Sequence, residues 1–251
     1  MNSDELLKKR FLELAERAYA TNTYVTTGFL DLNEQSLLLR CLPEISYAGC
    51  RLCGGSPSAE RRLAVFGSEE AFGYPPTLPI RLLEIAPRAE KFADELTHRD
   101  YLGALLHLGV ERSVLGDIVC RPPLAYVYCL DSIAPFLTEE LTTVKHTPVV
   151  CTESTLALDH VRPVLSELRL IVASLRADVV VSGLSRLSRS KALELFAAGR
   201  IFLNGRELRQ SSTQLKPGDL LVIRGLGKFR FDGAEGRTRK DRLPIVLQKY
   251  L

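Results

Sequence analysis

Residues 187–208 read LSRSKALELFAAGRIFLNGREL, and this stretch decides the fold of the C-terminal part of the chain. Ser188 stands where a helix N-cap is expected, and apolar residues then recur at helical spacing until a glycine ends the pattern. A short apolar run follows, and the Asn204-Gly205 pair after it is typical of a type I′ hairpin turn. The stretch therefore predicts a helix, a short strand and a tight hairpin.

Positive charge is concentrated at both ends of this predicted helix. Arg186, Arg189 and Lys191 crowd its start, where the backbone dipole already makes cations unfavourable. Arg200 and Arg206 bracket the short strand. Because a helix N-terminus offers free N–H groups, we interpret these cations as contacts for phosphate groups. We expect them to converge on one groove that recognises the backbone of a structured RNA by its shape.

The charge of the chain is unevenly distributed. The net charge of +3 comes from 33 Lys and Arg against 30 Asp and Glu. Residues 174–251 hold 16 basic and 7 acidic side chains, which gives them a net charge of +9. The preceding 173 residues therefore have a net charge of −6. A basic third on an acidic body is typical of nucleic-acid binding. The alternative is a charged surface that simply faces solvent. Such a surface would account for scattered charges better than for a concentration of basic residues in one third of the chain.

Composition places the chain among ordinary globular proteins, with 46% hydrophobic and 25% charged residues. No apolar run of about 18 residues predicts a membrane span, and the amphipathic helix predicted at 4–20 is not a secretory signal. We therefore expect a cytoplasmic protein with six reduced cysteines. Cys50 and Cys53 have metal-ligand spacing but lack a second pair, so the alternative is two apolar cysteines in a strand. No metal or other cofactor is expected.

The order of predicted elements indicates an α+β protein of three small units. The first, residues 1–73, is an α/β unit, with Asp31 and Glu34 as a capping pair for its second helix. The second, residues 74–172, has the order β-α-β-β-α-β of a ferredoxin-like, RRM-like fold. The third, residues 173–251, is the basic module that contains the opening stretch.

Two tyrosines mark the third strand of the central unit. Tyr126 and Tyr128 alternate with a valine, so both project from one face of the sheet. In RNA-recognition modules of this topology, aromatic side chains on that face stack on bases. The alternative is that both tyrosines pack against a neighbouring domain, and the absence of a basic, Gly/aromatic RNA-recognition signature favours it.

The motifs resemble known proteins. RADVV (176–180), the opening stretch and LKPGDLLVIRG resemble an S-four type (alpha-L) RNA-binding domain over residues 174–225. The tail GKFRFDGAEGRTRKDRLPIVLQKY is similar to that of the YlmH family of bacterial and plastid RNA-binding proteins. LTHRDYLGALLHLGVERSVLGDI and, more loosely, TGFLDLNEQ are also similar to that family. The resemblance spans nearly the whole chain and is weakest at residues 41–75.

The resemblance implies a non-catalytic protein that binds structured ribosomal RNA and/or tRNA on the large ribosomal subunit. It implies a role in ribosome quality control of stalled subunits carrying peptidyl-tRNA, and we expect a monomer. Arg176 and Asp178 match the opening Arg-x-Asp of the domain, which implies an internal ion pair. The residues expected to contact RNA are Arg186, Ser188, Arg189, Ser190, Lys191, Arg200, Asn204, Gly205, Arg206, Lys228 and Arg230.

An RNA-modifying enzyme that docks its substrate through the same basic module is the main alternative. A pseudouridine synthase needs an aspartate nucleophile within a Gly-Arg-Leu-Asp-like stretch, and the sequence has none. A methyltransferase needs a glycine-rich loop between a strand and a helix, and FGSEEAFG lacks that context. The sequence therefore favours a binding protein.

Overall fold

The chain folds into two compact units, Met1–Pro163 and Val164–Leu251, in a computed structural model. The structure describes residues 3–158, 161, 164–238 and 240–250. Both units combine helices with antiparallel sheets, so the predicted α+β class is confirmed. None of the helices in these ranges is both long enough and apolar enough to cross a lipid bilayer.

The N-terminal part of the first unit packs helices on a three-stranded sheet. Its helices and strands are α1 (Ser3–Thr21), β1 (Val25–Thr26), α2 (Leu32–Cys41), β2 (Cys50–Cys53), β3 (Leu63–Phe66) and α3 (Glu69–Phe72). The sheet order is β1-β3-β2, with antiparallel neighbours. Asp31 caps α2 as predicted, because its carboxylate accepts from the Glu34 N–H (2.9 Å) while the Glu34 carboxylate accepts from the Asp31 N–H (2.6 Å).

The central sheet has the predicted ferredoxin-like topology. Its helices and strands are β4 (Ile80–Pro87), α4 (His98–His107), β5 (Leu115–Arg121), β6 (Leu124–Leu130), α5 (Ala134–Glu140), β7 (Thr143–Val144) and β8 (Thr147–Glu153). The strand order β5-β6-β4-β8-β7, with antiparallel neighbours, is that of two interleaved β-α-β halves. The last predicted strand is instead a hairpin, because Lys145 adopts a positive φ of 55° and reverses the chain there.

The face of this sheet that carries Tyr126 and Tyr128 is buried, which rules out base stacking, the less favoured of the two interpretations of these tyrosines. The two side chains are 6% and 0% exposed, and they belong to a core cluster with Phe29 and Leu63 of the N-terminal part. The Tyr128 hydroxyl donates to the Leu158 carbonyl at 2.5 Å. An aromatic ring whose faces are already packed offers no surface to a base, and the alternative interpretation of these residues holds.

The packing of the N-terminal part against the central sheet explains why the first two predicted units form one compact unit. Gly116 in β5 lies so close to Phe29 that an added Cβ would approach its ring within 2.8 Å. Arg61 donates from Nη2 to the Phe29 carbonyl (2.6 Å) and from Nε to the Leu115 carbonyl (3.0 Å). The Asp117 carboxylate accepts from the backbone N–H of Arg61 at 2.9 Å. These bonds tie the N-terminal part to the central sheet.

The second unit is one six-stranded antiparallel sheet with two helices. Its helices and strands are β9 (Leu165–Val172), α6 (Ala177–Ser185), α7 (Arg189–Ala197), β10 (Ile201–Leu203), β11 (Arg206–Glu207), β12 (Leu220–Ile223), β13 (Gly227–Ala234) and β14 (Leu243–Tyr250). The strand order is β11-β10-β12-β13-β14-β9. The buried core includes Val181 of α6, Phe196 of α7 and Phe231 of β13. The helices therefore cover one face of the sheet.

Two boundaries in this unit differ from the sequence prediction. The predicted central unit ended at residue 172 and so included β9, a strand predicted to lead into the basic module. Its residues instead pair with β14 from Leu165↔Tyr250 to Val172↔Leu243, which places the strand in the second unit. The sequence predicts a helix over residues 174–184, but α6 begins at Ala177, because the Leu175 carbonyl accepts from the Leu215 N–H (3.0 Å) and keeps that segment extended.

Candidate nucleic-acid interface

A buried carboxylate links the two helices at the start of the basic unit. Asp178, in the first turn of α6, is 1% exposed and accepts from both Arg176 and Arg189. Arg176 donates from Nε and Nη2, each at 3.1 Å, which confirms the ion pair implied by the Arg-x-Asp motif. Arg189 donates from Nε (3.0 Å) and Nη2 (2.7 Å) to Oδ2. The Arg189 guanidinium is thus fixed in direction while its side chain stays 58% exposed.

The protonation state of Asp178 follows from this geometry. Burial on its own would raise the pKa of the carboxyl group, but the hydrogen bonds from Arg176 and then Arg189 outweigh it and lower the pKa below the ordinary value. Asp178 is therefore an anion at neutral pH. It can orient Arg189 only in that form, because a protonated carboxyl group would lose the charge that attracts the guanidinium.

The start of α7 has the predicted cap. The Ser188 hydroxyl accepts from the Lys191 N–H at 3.4 Å, and the Ser188 and Ser190 hydroxyl oxygens are 3.0 Å apart. Arg186, just before the cap, has a left-handed backbone with φ 55°. All the predicted contact residues from 186 to 191 are exposed. In the part of the chain that the structure describes, no carboxylate lies within ion-pair distance of Arg186 or Lys191.

The predicted hairpin turn is confirmed, but the Asn204 side chain has a structural role. Asn204 and Gly205 have φ angles of 52° and 78°, as a type I′ turn requires. The Asn204 amide donates to the Asp219 carboxylate (2.8 Å), and its oxygen accepts from the Leu220 N–H (2.9 Å). These bonds hold the hairpin against the turn that precedes β12. Arg206 is exposed, and an added Cβ at Gly205 would meet nothing within 4 Å.

Arg200 lies apart from the cations at the start of α7. Arg189 and Arg200 lie at opposite ends of α7, whose nine residues extend about 13 Å. The expectation that all the cations converge on one groove stays a prediction, and such a groove would have to run the length of this helix. Arg200 instead donates from Nη2 to the carbonyl of Arg224 at 2.8 Å. Cations at both ends of the helix suit a run of backbone phosphates better than one phosphate group.

The two predicted cations of β13 lie on one face of the sheet, two residues apart. Arg230 donates from Nε to the Asp232 carboxylate at 2.8 Å, so its charge is balanced locally. The Lys228 ammonium lies 4.6 Å from the centre of the Tyr250 ring. We did not predict Arg224 as a contact residue. Alternate side chains of a strand share one face, so counting by twos from Leu220 would have placed Arg224 on the same face as Lys228 and Arg230.

The other candidate chemistry of the sequence lies at Cys50 and Cys53, both within β2. Burial raises the pKa of the Cys50 thiol to about 12, so this sulfur is protonated at neutral pH and is a poor metal ligand in that state. Within the described ranges, no three His, Cys, Asp or Glu side chains are grouped so that they could hold a metal ion.

Comparison with known proteins places the chain in a family. The family model described as "RNA-binding domain in YlmH" matches residues 77–157, the ferredoxin-like sheet and its helices. The chain is 30% identical over 224 residues to the ribosome-associated protein quality control protein P2 of Bacillus subtilis (strain 168), covering 89% of this chain and 86% of that protein. Among solved structures it is similar to the cell division protein ylmH from Streptococcus pneumoniae, with 22% identity, a TM-score of 0.49, and coverage of 61% of this chain and 92% of that one. The chain therefore belongs to the YlmH family.

Proposed function

We propose that this protein binds structured ribosomal RNA and/or tRNA on the large ribosomal subunit and catalyses no reaction. Its C-terminal unit would act as an S-four type RNA-binding domain. The observation that carries the proposal is the exposed Arg189 guanidinium, held by the buried Asp178 beside Arg186 and Lys191. A cation whose direction is set before binding loses less conformational entropy when it meets a phosphate.

The cellular role that we propose is ribosome-associated quality control in the cytoplasm, on stalled large subunits that carry peptidyl-tRNA. The Bacillus subtilis relative has that process in its name, and its similarity extends over most of both chains. A concentration of basic side chains in the C-terminal unit supports RNA as the partner. We propose that the protein acts as a monomer.

Binding to purified large subunits over a range of salt concentrations tests this proposal. Replacing Arg189 or Lys191 by Ala should each lower the slope of log affinity against log salt by roughly 1, because each loses about one phosphate contact. The matched control is Arg169→Ala in β9, which removes an exposed cation already paired with Glu167. Unchanged slopes for both α7 variants would contradict the assignment.

Two further measurements separate binding from catalysis and identify the RNA. Cross-linking in cells, followed by sequencing of the attached RNA, should recover ribosomal RNA of the large subunit or tRNA. Mass analysis of that RNA after incubation with the purified protein should show no new modified nucleotide. A modified nucleotide would instead support the RNA-modifying enzyme.

A further inference from the structure

A cleft in the first unit lies between α5, the start of β4 and the end of β8. Its floor is apolar and buried, and it consists of Leu83, Ala134 and Cys151. The other residues that line it are Arg81, Asp131, Pro135, Thr138, Thr152 and Glu153. The volume of about 490 Å³ is in the range of ligand sites in proteins. We call this feature the α5 cleft.

The α5 cleft exists because α5 is too short to cover its face of the central sheet. This helix packs on β4 and β8, and its seven residues extend about 10 Å, whereas the eight residues of β4 extend about 26 Å. Arg81 is on the same sheet face as the core residue Leu83, because alternate residues of a strand share a face. Glu153, which pairs with Leu83 across the sheet, is on that face too. The Arg81 and Glu153 side chains are nevertheless 54% and 58% exposed, so this end of the face is uncovered.

Carboxylates predominate around the mouth of the α5 cleft. Glu153 is paired with Arg81 at 3.1 Å, and Asp131 is a further carboxylate at the mouth. Glu139 follows the lining residue Pro135 by four residues, so the two are on the same side of α5. Among the residues that the structure describes, none donates a hydrogen bond to the side chain of Asp131 or Glu139, and no cation is within ion-pair distance of either. The mouth therefore has a negative charge that is not balanced locally.

The charge at the end of α5 is unfavourable for the helix itself. Glu139 and Glu140 are its last two residues, where the helix dipole disfavours anions, and α5 has no basic residue. Phe136 precedes Glu140 by four residues and is 40% exposed. Carboxylates beside an exposed aromatic ring attract a cation, because the face of the ring is also negative. Arrangements that lower local stability are expected where a function requires them.

The chemistry of the α5 cleft favours a basic segment of a protein over other ligands. A phosphate group would be repelled by the unpaired carboxylates. A small molecule would stay largely exposed, because Arg81 and Glu153 at the mouth are themselves more than half exposed, whereas small-molecule sites bury most of their ligand. A lysine or arginine side chain matches both parts of the cleft, since its stem is apolar and its end is charged. The net charge of −6 on the first 173 residues attracts such a partner at longer range.

We propose that the α5 cleft binds a lysine- or arginine-rich segment of a partner protein. One basic side chain enters the cleft, with its methylene groups on the apolar floor and its charged end near Asp131. Basic residues further along the segment contact Glu139 and Glu140. The inference goes beyond the proposed function, because it concerns a protein contact of the first unit and does not require RNA binding by the second.

The test measures binding of a fluorescein-labelled decalysine peptide to the full chain by fluorescence anisotropy at low salt. The cleft variant, Asp131→Asn with Glu139→Gln, removes two carboxylates from the mouth of the α5 cleft. The control, Glu69→Gln with Glu70→Gln, removes two exposed carboxylates from the N-terminal part, which packs on the opposite face of the central sheet. We expect the affinity for decalysine to fall about fivefold to tenfold for the cleft variant, and less than about twofold for the control.

A further variant, Thr138→Phe, fills the α5 cleft without changing its charge. Thr138 lines the cleft and is half-buried, so a ring at this position occupies space that the basic side chain would enter. We expect the affinity for decalysine to fall about fivefold, whereas attraction by charge alone would leave it unchanged. Thermal unfolding shows whether each variant is folded, and affinities are compared only between folded proteins. If Thr138→Phe unfolds the protein, Thr138→Leu takes its place, with an expected fall of about twofold to threefold.

Other occupants of the α5 cleft give different results. Equal binding of decalysine by the cleft variant and the control overturns the inference. A cleft variant that binds decalysine like the wild type but loses affinity for purified ribosomal RNA would assign the cleft to RNA and overturn it too. Analytical ultracentrifugation tests a second copy of this chain, since a wild type that dimerises and a cleft variant that stays monomeric would assign the cleft to self-association. A wild type that binds decalysine at the cleft but binds no RNA would support the inference and contradict only the proposed function.

Discussion

Arg189 at the start of α7 and Asp178 in the first turn of α6 are joined by two hydrogen bonds, of 3.0 and 2.7 Å, to one carboxylate oxygen. The acceptor is buried and the donor is exposed. The pair therefore does two things at once: it fastens α7 to α6, and it directs a cation toward solvent. Its two roles can be separated by experiment.

Replacing Asp178 by Asn should destabilise the fold. The neutral amide removes two charge-assisted pairs at a buried position, and we expect the free energy of unfolding at neutral pH to fall by about 1–3 kcal/mol. Because the folded pKa of Asp178 is depressed, its contribution is present above the unfolded pKa, near 3.8, and is lost as pH falls through the folded value. Urea unfolding at neutral pH and near pH 3 measures this. A variant as stable as the wild type at neutral pH would contradict the prediction.

The same substitution distinguishes a positioned cation from net charge alone. Asp178→Asn raises the net charge by one, so attraction by charge alone would strengthen RNA binding. We expect weaker binding to large subunits instead, because Arg189 loses the group that directs it. Glu194→Gln, on the exposed side of α7, is the control: it makes the same change in charge without touching Arg189, and it should strengthen binding slightly. Equal effects of the two variants would show that only net charge matters.

Gly205→Ala should lower stability by about 1–2 kcal/mol. The cost comes from the backbone, because Gly205 has a φ of 78° and an added Cβ would touch nothing within 4 Å. Thermal unfolding measures the loss. Gly103→Ala is the control, since that helical glycine also has open space around it, and there alanine should stabilise the protein slightly.

Tyr128→Phe should lower stability without changing RNA affinity. The variant keeps the buried ring but leaves the Leu158 carbonyl without its hydroxyl donor, which we expect to cost about 1–2 kcal/mol. Chemical unfolding and binding to large subunits are measured on the same preparations. A fall in RNA affinity with unchanged stability would show that the Tyr128 hydroxyl contacts RNA and would contradict a purely structural role.

The caps and turns were readable from the sequence. Asp31 and Ser188 cap their helices, and Asn204-Gly205 makes a hairpin, because each of these structures depends on hydrogen bonds and backbone angles within a few residues. The ferredoxin-like order was readable for a similar reason. Hydrophobic periodicity identifies helices and strands in turn, and few topologies connect β-α-β-β-α-β.

Tertiary structure alone decided which of these surfaces face solvent. The sequence placed Tyr126 and Tyr128 on one face, but only the approach of Phe29, far away along the chain, shows that this face is buried. The sequence also supplied the cations of the C-terminal unit. How individual cations are held depends on partners such as Asp178 and Phe202, which the fold brings close to Arg189 and Arg224. Local patterns determine elements because their causes are local, whereas a binding surface is the part of the chain that packing leaves uncovered.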